Sequence, residues 1–197
     1  MTNRVVLASS NHGKLRELQE ALSGTRWRLT PQAAMGVTDA IEDKLTFVEN
    51  ALTKARHATA ITGLPAIADD SGLVVPALDG APGIFSARFS GQGDAGNNTK
   101  LLDAMSTLTD SDRDAHYFCA LVFLLSSDDP TPIIAEGRWQ GRIGLAAAGD
   151  GGFGYDPIFE VAGLGCTAAQ LSPEAKRELS HRGQAVTQLC EALGRSR

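Results

Sequence analysis

Residues 149–157 read Gly-Asp-Gly-Gly-Phe-Gly-Tyr-Asp-Pro, and Ser180-His181-Arg182-Gly183 follows downstream. Four glycines within six residues let backbone approach a ligand closely. An aromatic ring and a carboxylate stand among them, and no apolar periodicity explains either as core. This is the composition of a binding loop. Phe153 suits a stacking platform because every nucleobase offers a π face, with an ordinary core aromatic as the competing reading. The glycines predict freedom for Phe153 to reposition, while Asp156, preceding Pro157, is restricted to extended backbone. His181 and Arg182 follow Ser180, whose type suits a helix cap. With Lys176 they make a donor-rich group matched to a carbonyl oxygen on a base, although a histidine there also fits a structural role.

Two further stretches carry charge chemistry. Ser9-Ser10-Asn11-His12-Gly13-Lys14 falls between a strand-like and a helix-like run, where unpaired helix N–H groups and the positive end of the dipole hold phosphate oxygens. Lys14 adds a full charge. The leading glycine of a Walker A loop is missing and Leu15 follows the lysine, so the segment is not that motif. Asn11 as a plain cap and Lys14 as a solvated helix residue account for the same residues. Ala68-Asp69-Asp70-Ser71-Gly72 closes a predicted strand with adjacent carboxylates, hard oxygen ligands suited to magnesium (Mg2+) at the carboxyl edge of an open α/β sheet. Asp and Ser-Gly are equally at home in a turn. Glu42 is the candidate second metal ligand, or a plain surface residue. Glu49 is already accounted for by a capping box with Thr46.

The elements that must position these groups alternate. Arg4–Ala8 reads as a buried strand, and Leu15, Leu18 and Leu22 recur at helical spacing after it. Thr46 opens a second helix with Phe47, Val48, Ala51, Leu52, Ala55 and Ala58 on one face, and Gly63 and Pro65 stop it. Ala66–Ala68 is the strand delivering the aspartates, Gly72–Val75 another before Pro76, and 77–96 a long loop. Asn97 or Asn98 is placed to cap a third helix bearing Leu101, Leu102, Met105 and Leu108. Tyr117–Leu125 and Ile133–Trp139 read as a hairpin around Asp128-Asp129-Pro130, making the sheet mixed. Ser172-Pro173 opens a short helix, and Val186, Leu189, Cys190 and Leu193 stripe a last one capped by Ser180.

Composition narrows the class. A chain of 197 residues that is 43% hydrophobic is expected to be globular, and no composition shift divides it, so 1–197 reads as a single domain. A net charge of -5 argues against a broad nucleic-acid surface, which needs clustered Lys and Arg. No run is long enough to span a membrane and Val5–Ala8 is too short for a signal-peptide core, so the expected location is cytoplasmic. Cys119, Cys166 and Cys190 are odd in number and far apart, and read as free thiols.

With these residues in hand, the chain resembles the inosine/xanthosine triphosphate pyrophosphatases, which hydrolyse non-standard purine nucleoside triphosphates to monophosphate and diphosphate. The resemblance covers nearly the whole chain. It rests on Leu7-Ala-Ser-Ser-Asn11-His-Gly-Lys14, Leu45-Thr-Phe-Val-Glu-Asn-Ala51, Ala68-Asp-Asp-Ser-Gly72, Gly80-Ala-Pro-Gly83 with Ser86-Ala-Arg88, Gly151-Gly-Phe-Gly-Tyr-Asp-Pro157 and Ser180-His-Arg182. It implies an elongated mixed α/β fold, with the active site in a cleft between two lobes, a magnesium requirement and a homodimer. Carried over by motif, Ser9, Ser10, Asn11, His12, Gly13 and Lys14 would hold the triphosphate. Asp70 would be proton acceptor and metal ligand, and Ser71 would touch substrate. Phe153, Gly154, Tyr155, Asp156, Lys176, His181 and Arg182 would surround the base. The chain departs from the common pattern at Ser9-Ser10 and at Asp150, whose charge is expected to point away from phosphates. Rival readings are an aspartyl phosphatase releasing orthophosphate, for which the second Asp two residues on is missing, and a nucleotide-binding module without catalysis.

Overall fold

The computed structural model describes residues 3–9, 12–22 and 25–195, apart from the side chains of His12, Arg16, Glu17 and Arg195. Six strands are hydrogen-bonded in the order β2-β1-β3-β4-β5-β6: β1 Asn3–Leu7, β2 Trp27–Pro31, β3 Ala66–Val74, β4 Asp114–Leu124, β5 Ile133–Ile143 and β6 Phe159–Val161. β1 pairs in parallel with β2 and β3, whereas β5 and β6 are antiparallel, so the sheet is mixed as expected. The helices are α1 His12–Leu22, α2 Phe47–Thr62, α3 Gly93–Ala104, α4 Pro173–Leu179 and α5 His181–Arg195. No helix among the described residues is long and apolar enough to cross a membrane. The chain divides into two compact units, and β3, β4 and β5 pass through the division after Asp70, Phe118 and Gly137.

The first unit takes residues 1–70, 119–137 and 184–197. Its core gathers Val5 and Leu7 from β1, Leu18 and Leu22 from α1, Ile67, Leu121, Phe123 and Leu189, with Trp27 edge-on to Phe123. α2 starts where its cap chemistry dictates: the Thr46 hydroxyl accepts from the Glu49 N–H, and Gly63 ends the helix at φ 65. The strand delivering the aspartates does not stop at Ala68. It continues through Asp69, Asp70, Ser71 and Gly72 to Val74. Pairing with β1 uses only Ala66 and Ile67, so β3 runs on past the carboxyl end of β1 and carries both carboxylates with it. The turn chemistry of Asp and Ser-Gly is overridden by strand pairing.

The second unit takes residues 71–118 and 138–183, around a core of Leu73, Leu101, Met105, Tyr117, Trp139, Ile143, Tyr155 and Phe159. Segment 77–96 is not a free loop: it winds through short 3-10 turns at Pro76–Leu78 and Gly83–Arg88 before α3. Ser86 anchors it, its hydroxyl accepting from the Leu73 N–H at 2.9 Å and donating to the Gly83 carbonyl at 2.6 Å. Asn97 and Asn98 do not cap α3; they lie inside it, because the helix already begins at Gly93. Asn97 is buried and binds the Ser86 and Ala87 carbonyls, so its cap-like chemistry is used across the fold. Arg113, 3% exposed, donates to the carbonyls of Ile143, Met105 and Gly144.

Candidate active site

Within the first unit, five charged side chains meet where β3 overruns β1. Asp69 and Asp70 are buried, at 1% and 7% exposure. Lys14, in the first turn of α1, places its ammonium 2.7 Å from Asp69 Oδ2. Lys54, near the middle of α2, places its Nζ 3.2 Å from both Asp70 Oδ1 and Glu42 Oε1. The loop bearing Glu42 is tied down at its far end by buried Asn50, whose Oδ1 accepts from the Lys44 N–H at 3.0 Å. At its near end His57 Nε2 lies 3.0 Å from the Thr38 carbonyl.

The titration of this cluster follows from its burial. Asp70 is held above its ordinary pKa of 3.8, first by desolvation and then by the Glu42 charge, with Lys54 pulling the other way. Burial works against the Lys54 ammonium, yet the charges of Asp69, Asp70 and Glu42 together keep its pKa raised. A charged lysine therefore faces a carboxylate more basic than usual. Asp70 Oδ2 is buried and has no hydrogen-bond partner among the described residues. An orphaned carboxylate oxygen with a second carboxylate reached through the same lysine fits a hard cation such as magnesium, which takes one or two carboxylates and leaves its other positions to phosphates and water. No three His, Cys, Asp or Glu side chains form a ready cage among the described residues.

Within the second unit, Asp156 is the hub. It is 3% exposed. Its Oδ1 accepts from the Tyr117 hydroxyl at 3.3 Å, and its Oδ2 accepts from the Phe153 N–H at 2.8 Å and from the Lys176 ammonium. Gly152, at φ +71, is required here, because a Cβ at that position would collide with the Asp156 carboxylate. Lys176 Nζ lies 4.7 Å from the Phe153 ring centroid and Arg182 Cζ 5.7 Å from it, while 43% of Phe153 remains exposed. The ring is thus no core aromatic. Arg182, buried, donates to Ser71 Oγ at 3.2 Å, and Ser71 is the residue after Asp70 on β3. His181 stacks on Tyr117 with centroids 4.6 Å apart and planes 6° from parallel. Ser180 caps α5 by accepting from the Gly183 N–H at 3.1 Å. A Cβ on Gly183 would strike the Arg177 carbonyl, so only glycine lets the first turn of α5 lie so close to α4.

The sequence model of the Ham1 family matches residues 5–192 of the chain. The chain belongs to the Ham1 family. It is 55% identical over 192 residues to a dITP/XTP pyrophosphatase of Thioalkalivibrio sulfidiphilus (strain HL-EbGR7), covering 96% of this chain and 98% of that one. It is 53% identical to a dITP/XTP pyrophosphatase of Shigella flexneri over the same shares. The solved structure of a HAM1 protein from Coxiella burnetii superposes with a TM-score of 0.95 at 46% identity, covering 99% of this chain and 100% of that one. The Staphylococcus aureus Ham1 protein gives 0.89 at 35% identity, again over 99% and 100%.

In this Ham1 chain the residues singled out from sequence fall into those two clusters. Asp70, Glu42 and Lys14 belong to the first, and Ser71, Phe153, Gly154, Asp156, Lys176, His181 and Arg182 to the second. Tyr155 turns its side chain into the core, where its hydroxyl donates to the Ser86 carbonyl at 2.8 Å. Ser9 is half-buried just past β1, and Gly13 lies in α1. Ser10, Asn11 and the side chain of His12 lie outside the described residues. Asp150 is exposed. Sequence reading passed over Lys54, although a signal was there: it stands three residues after Ala51 and four before Ala58, a lysine on the apolar stripe of α2. A cation on such a stripe needs a buried counter-charge.

Proposed function

We propose that this chain, acting as one domain, hydrolyses non-standard purine nucleoside triphosphates such as dITP, ITP and XTP to the monophosphate and diphosphate. The observation that carries the reading is the Glu42–Lys54–Asp70 cluster around a buried carboxylate, in a chain more than half identical to proteins named for this activity. Ser9 to Lys14 receive the triphosphate, with the start of α1 supplying its positive dipole end. Asp70 and Glu42 hold magnesium, and what it supplies when bound is neutralisation of charge on the phosphate oxygens. Asp70 accepts a proton from the attacking water, a task its raised pKa favours. The water oxygen bonds to the α-phosphorus, and the bond from that phosphorus to the bridging oxygen breaks, leaving the electron pair on the diphosphate. Lys54 stays protonated and holds Asp70 and Glu42 in place against their mutual repulsion.

The base stacks on Phe153, and Lys176, His181 and Arg182 direct donors at its 6-keto oxygen, where adenine offers an amino donor instead. Asp156 serves by holding Phe153 and Lys176. The protein works in the cytoplasm, where free thiols persist, and as a homodimer, which the family resemblance implies; a net charge of -5 speaks against a nucleic-acid surface. Incubation of the purified protein with magnesium and ITP, XTP, dITP, ATP or GTP, followed by identification of the released phosphate, tests the reading. Diphosphate from the first three and little from ATP is the expected result. Orthophosphate as first product, or no product, would overturn it.

A further inference from the structure

The glycine-rich run that carries Phe153 reads in sequence as mobile, yet its backbone is held at every polar atom of residues 153 and 154. The Phe153 N–H donates to Asp156 Oδ2 at 2.8 Å, and the Phe153 carbonyl accepts from the Asp156 N–H at 3.2 Å. The Gly154 N–H donates to Asp94 Oδ2 at 2.7 Å, and the Gly154 carbonyl accepts from Asn98 Nδ2 at 3.0 Å. Asp94 and Asn98 stand four residues apart on α3, hence on one face of the helix, and grip the two polar groups of a single residue. Gly154 itself sits at φ +62, a conformation that gains nothing from its own side chain and is set from outside.

Asn98 carries a cost that stability alone does not explain. Its Oδ1 is buried without a hydrogen-bond partner among the described residues. Burying an unpaired amide oxygen is unfavourable, and an apolar residue at that place on the helix would avoid the penalty. What the amide gains is the bond to the Gly154 carbonyl. Turned over, it would set its oxygen against that carbonyl, so the grip also fixes its orientation.

We propose that Asp94 and Asn98 form a clamp that presets Phe153 as the stacking surface for the base, and that they are positioning residues for base affinity. The proposal rests on the function given above. A stacking ring whose backbone is already ordered loses little freedom when a ligand arrives, so its contact energy appears as affinity. The clamp belongs to the second unit, whereas the residues proposed to handle the phosphates and metal stand on β3, α1 and the Glu42 loop of the first. Its loss should weaken ligands that have a base and spare those that have none.

The test uses the full chain carrying Asp94→Ala and Asn98→Ala, singly and together, with Asp94→Asn as the conservative variant that keeps an acceptor for the Gly154 N–H. Hydrogen exchange over residues 152–156 and KM for ITP are measured, together with the inhibition constant of inorganic tripolyphosphate, which has no base. In the double variant, exchange should be faster and KM should rise by about tenfold with kcat changed by less than about twofold, as expected for losing part of a stacking contact. Tripolyphosphate inhibition should not change, and Asp94→Asn should restore most of the affinity lost in Asp94→Ala. Unchanged exchange, unchanged KM, or a parallel loss of tripolyphosphate inhibition would each overturn the clamp. A wild-type protein that turns over none of ITP, XTP and dITP would overturn the function itself and the clamp with it; wild-type turnover with an unchanged KM in the double variant would overturn the clamp alone.

Discussion

The ammonium of Lys54 lies 3.2 Å from Asp70 Oδ1 and, among the described residues, carries the positive charge drawn directly onto that carboxylate. It opposes the burial and the Glu42 charge that push the Asp70 pKa up. Lys54→Met removes that opposition, so the Asp70 pKa must rise further and the carboxylate form persist only at higher pH. The acid limb of the kcat profile, set by loss of the base form, is expected to move to higher pH, with kcat at neutral pH falling by about a hundredfold. A pH–rate series from acid to alkaline on both proteins checks it. An acid limb that stays in place would show that Lys54 does not govern the protonation of Asp70.

As the proposed proton acceptor, Asp70 would also set activity against stability. Its folded pKa lies above the unfolded value of 3.8, so between those two values the folded state binds more protons than the unfolded state. Stability therefore falls as pH rises through that window, and the contribution present in acid is lost at neutral pH. Asp70→Asn removes the buried charge while keeping the shape of the side chain. The variant is expected to lose turnover by about a thousandfold or more and yet to melt above the wild type at neutral pH, a trade common at functional sites. The gain in Tm should shrink as the pH is lowered toward 3.8, where the wild-type carboxyl is itself protonated. Thermal melts at several pH values would decide it; a variant that melts lower at neutral pH contradicts the sign.

Local chemistry was readable in the sequence, and chemistry between distant segments was not. Thr46, Ser172 and Ser180 bind amides three residues on, so their helix starts are legible from adjacent residues alone. Asp70, Ser71, Phe153 and Arg182 were legible because their motifs are contiguous. The extension of β3 through Ser71 and Gly72 was not, because the Leu73 N–H is satisfied by Ser86, thirteen residues away. Lys54 went unread because its partners, Glu42 and Asp70, lie twelve and sixteen residues off. Gly154 looked free for a related reason. The groups that hold it, Asp94 and Asn98, are separated from it by sixty and fifty-six residues.

Arg113 should matter to stability alone. Its guanidinium is buried and spent on the carbonyls of Ile143, Met105 and Gly144, which joins the end of α3 to the end of β5. Arg113→Met removes all three donors and leaves acceptors in a dry interior, each unmet group costing about 1–3 kcal/mol, partly offset by no longer burying a charge. A net loss of about 2–3 kcal/mol would lower Tm by roughly 4–12 °C in a protein of this size. KM for ITP, measured well below the melting point, should stay within about twofold of wild type because no contact to either cluster is removed. A variant with unchanged Tm would show that the three bonds only balance the cost of burying the cation.

The two carboxylate oxygens of Asp156 separate charge from shape. The Tyr117 hydroxyl reaches Oδ1 at 3.3 Å, a long bond, whereas the Lys176 ammonium and the Phe153 N–H converge on Oδ2. Tyr117→Phe gives up only the long bond and keeps the ring stacked on His181, so KM for ITP should change by less than about threefold. Asp156→Asn keeps an oxygen for the Phe153 N–H but loses the charge that holds Lys176, one of the two cations beside the stacking ring. Charge-assisted bonds are about twice as strong as neutral ones, so KM should rise by about tenfold or more, and the rise should shrink for a substrate lacking the 6-keto group that we propose Lys176 helps to hold. Steady-state kinetics of both variants on ITP and ATP make the comparison. Equal effects from the two substitutions would mean that Asp156 acts through Tyr117 and the packing beneath it, not through Lys176.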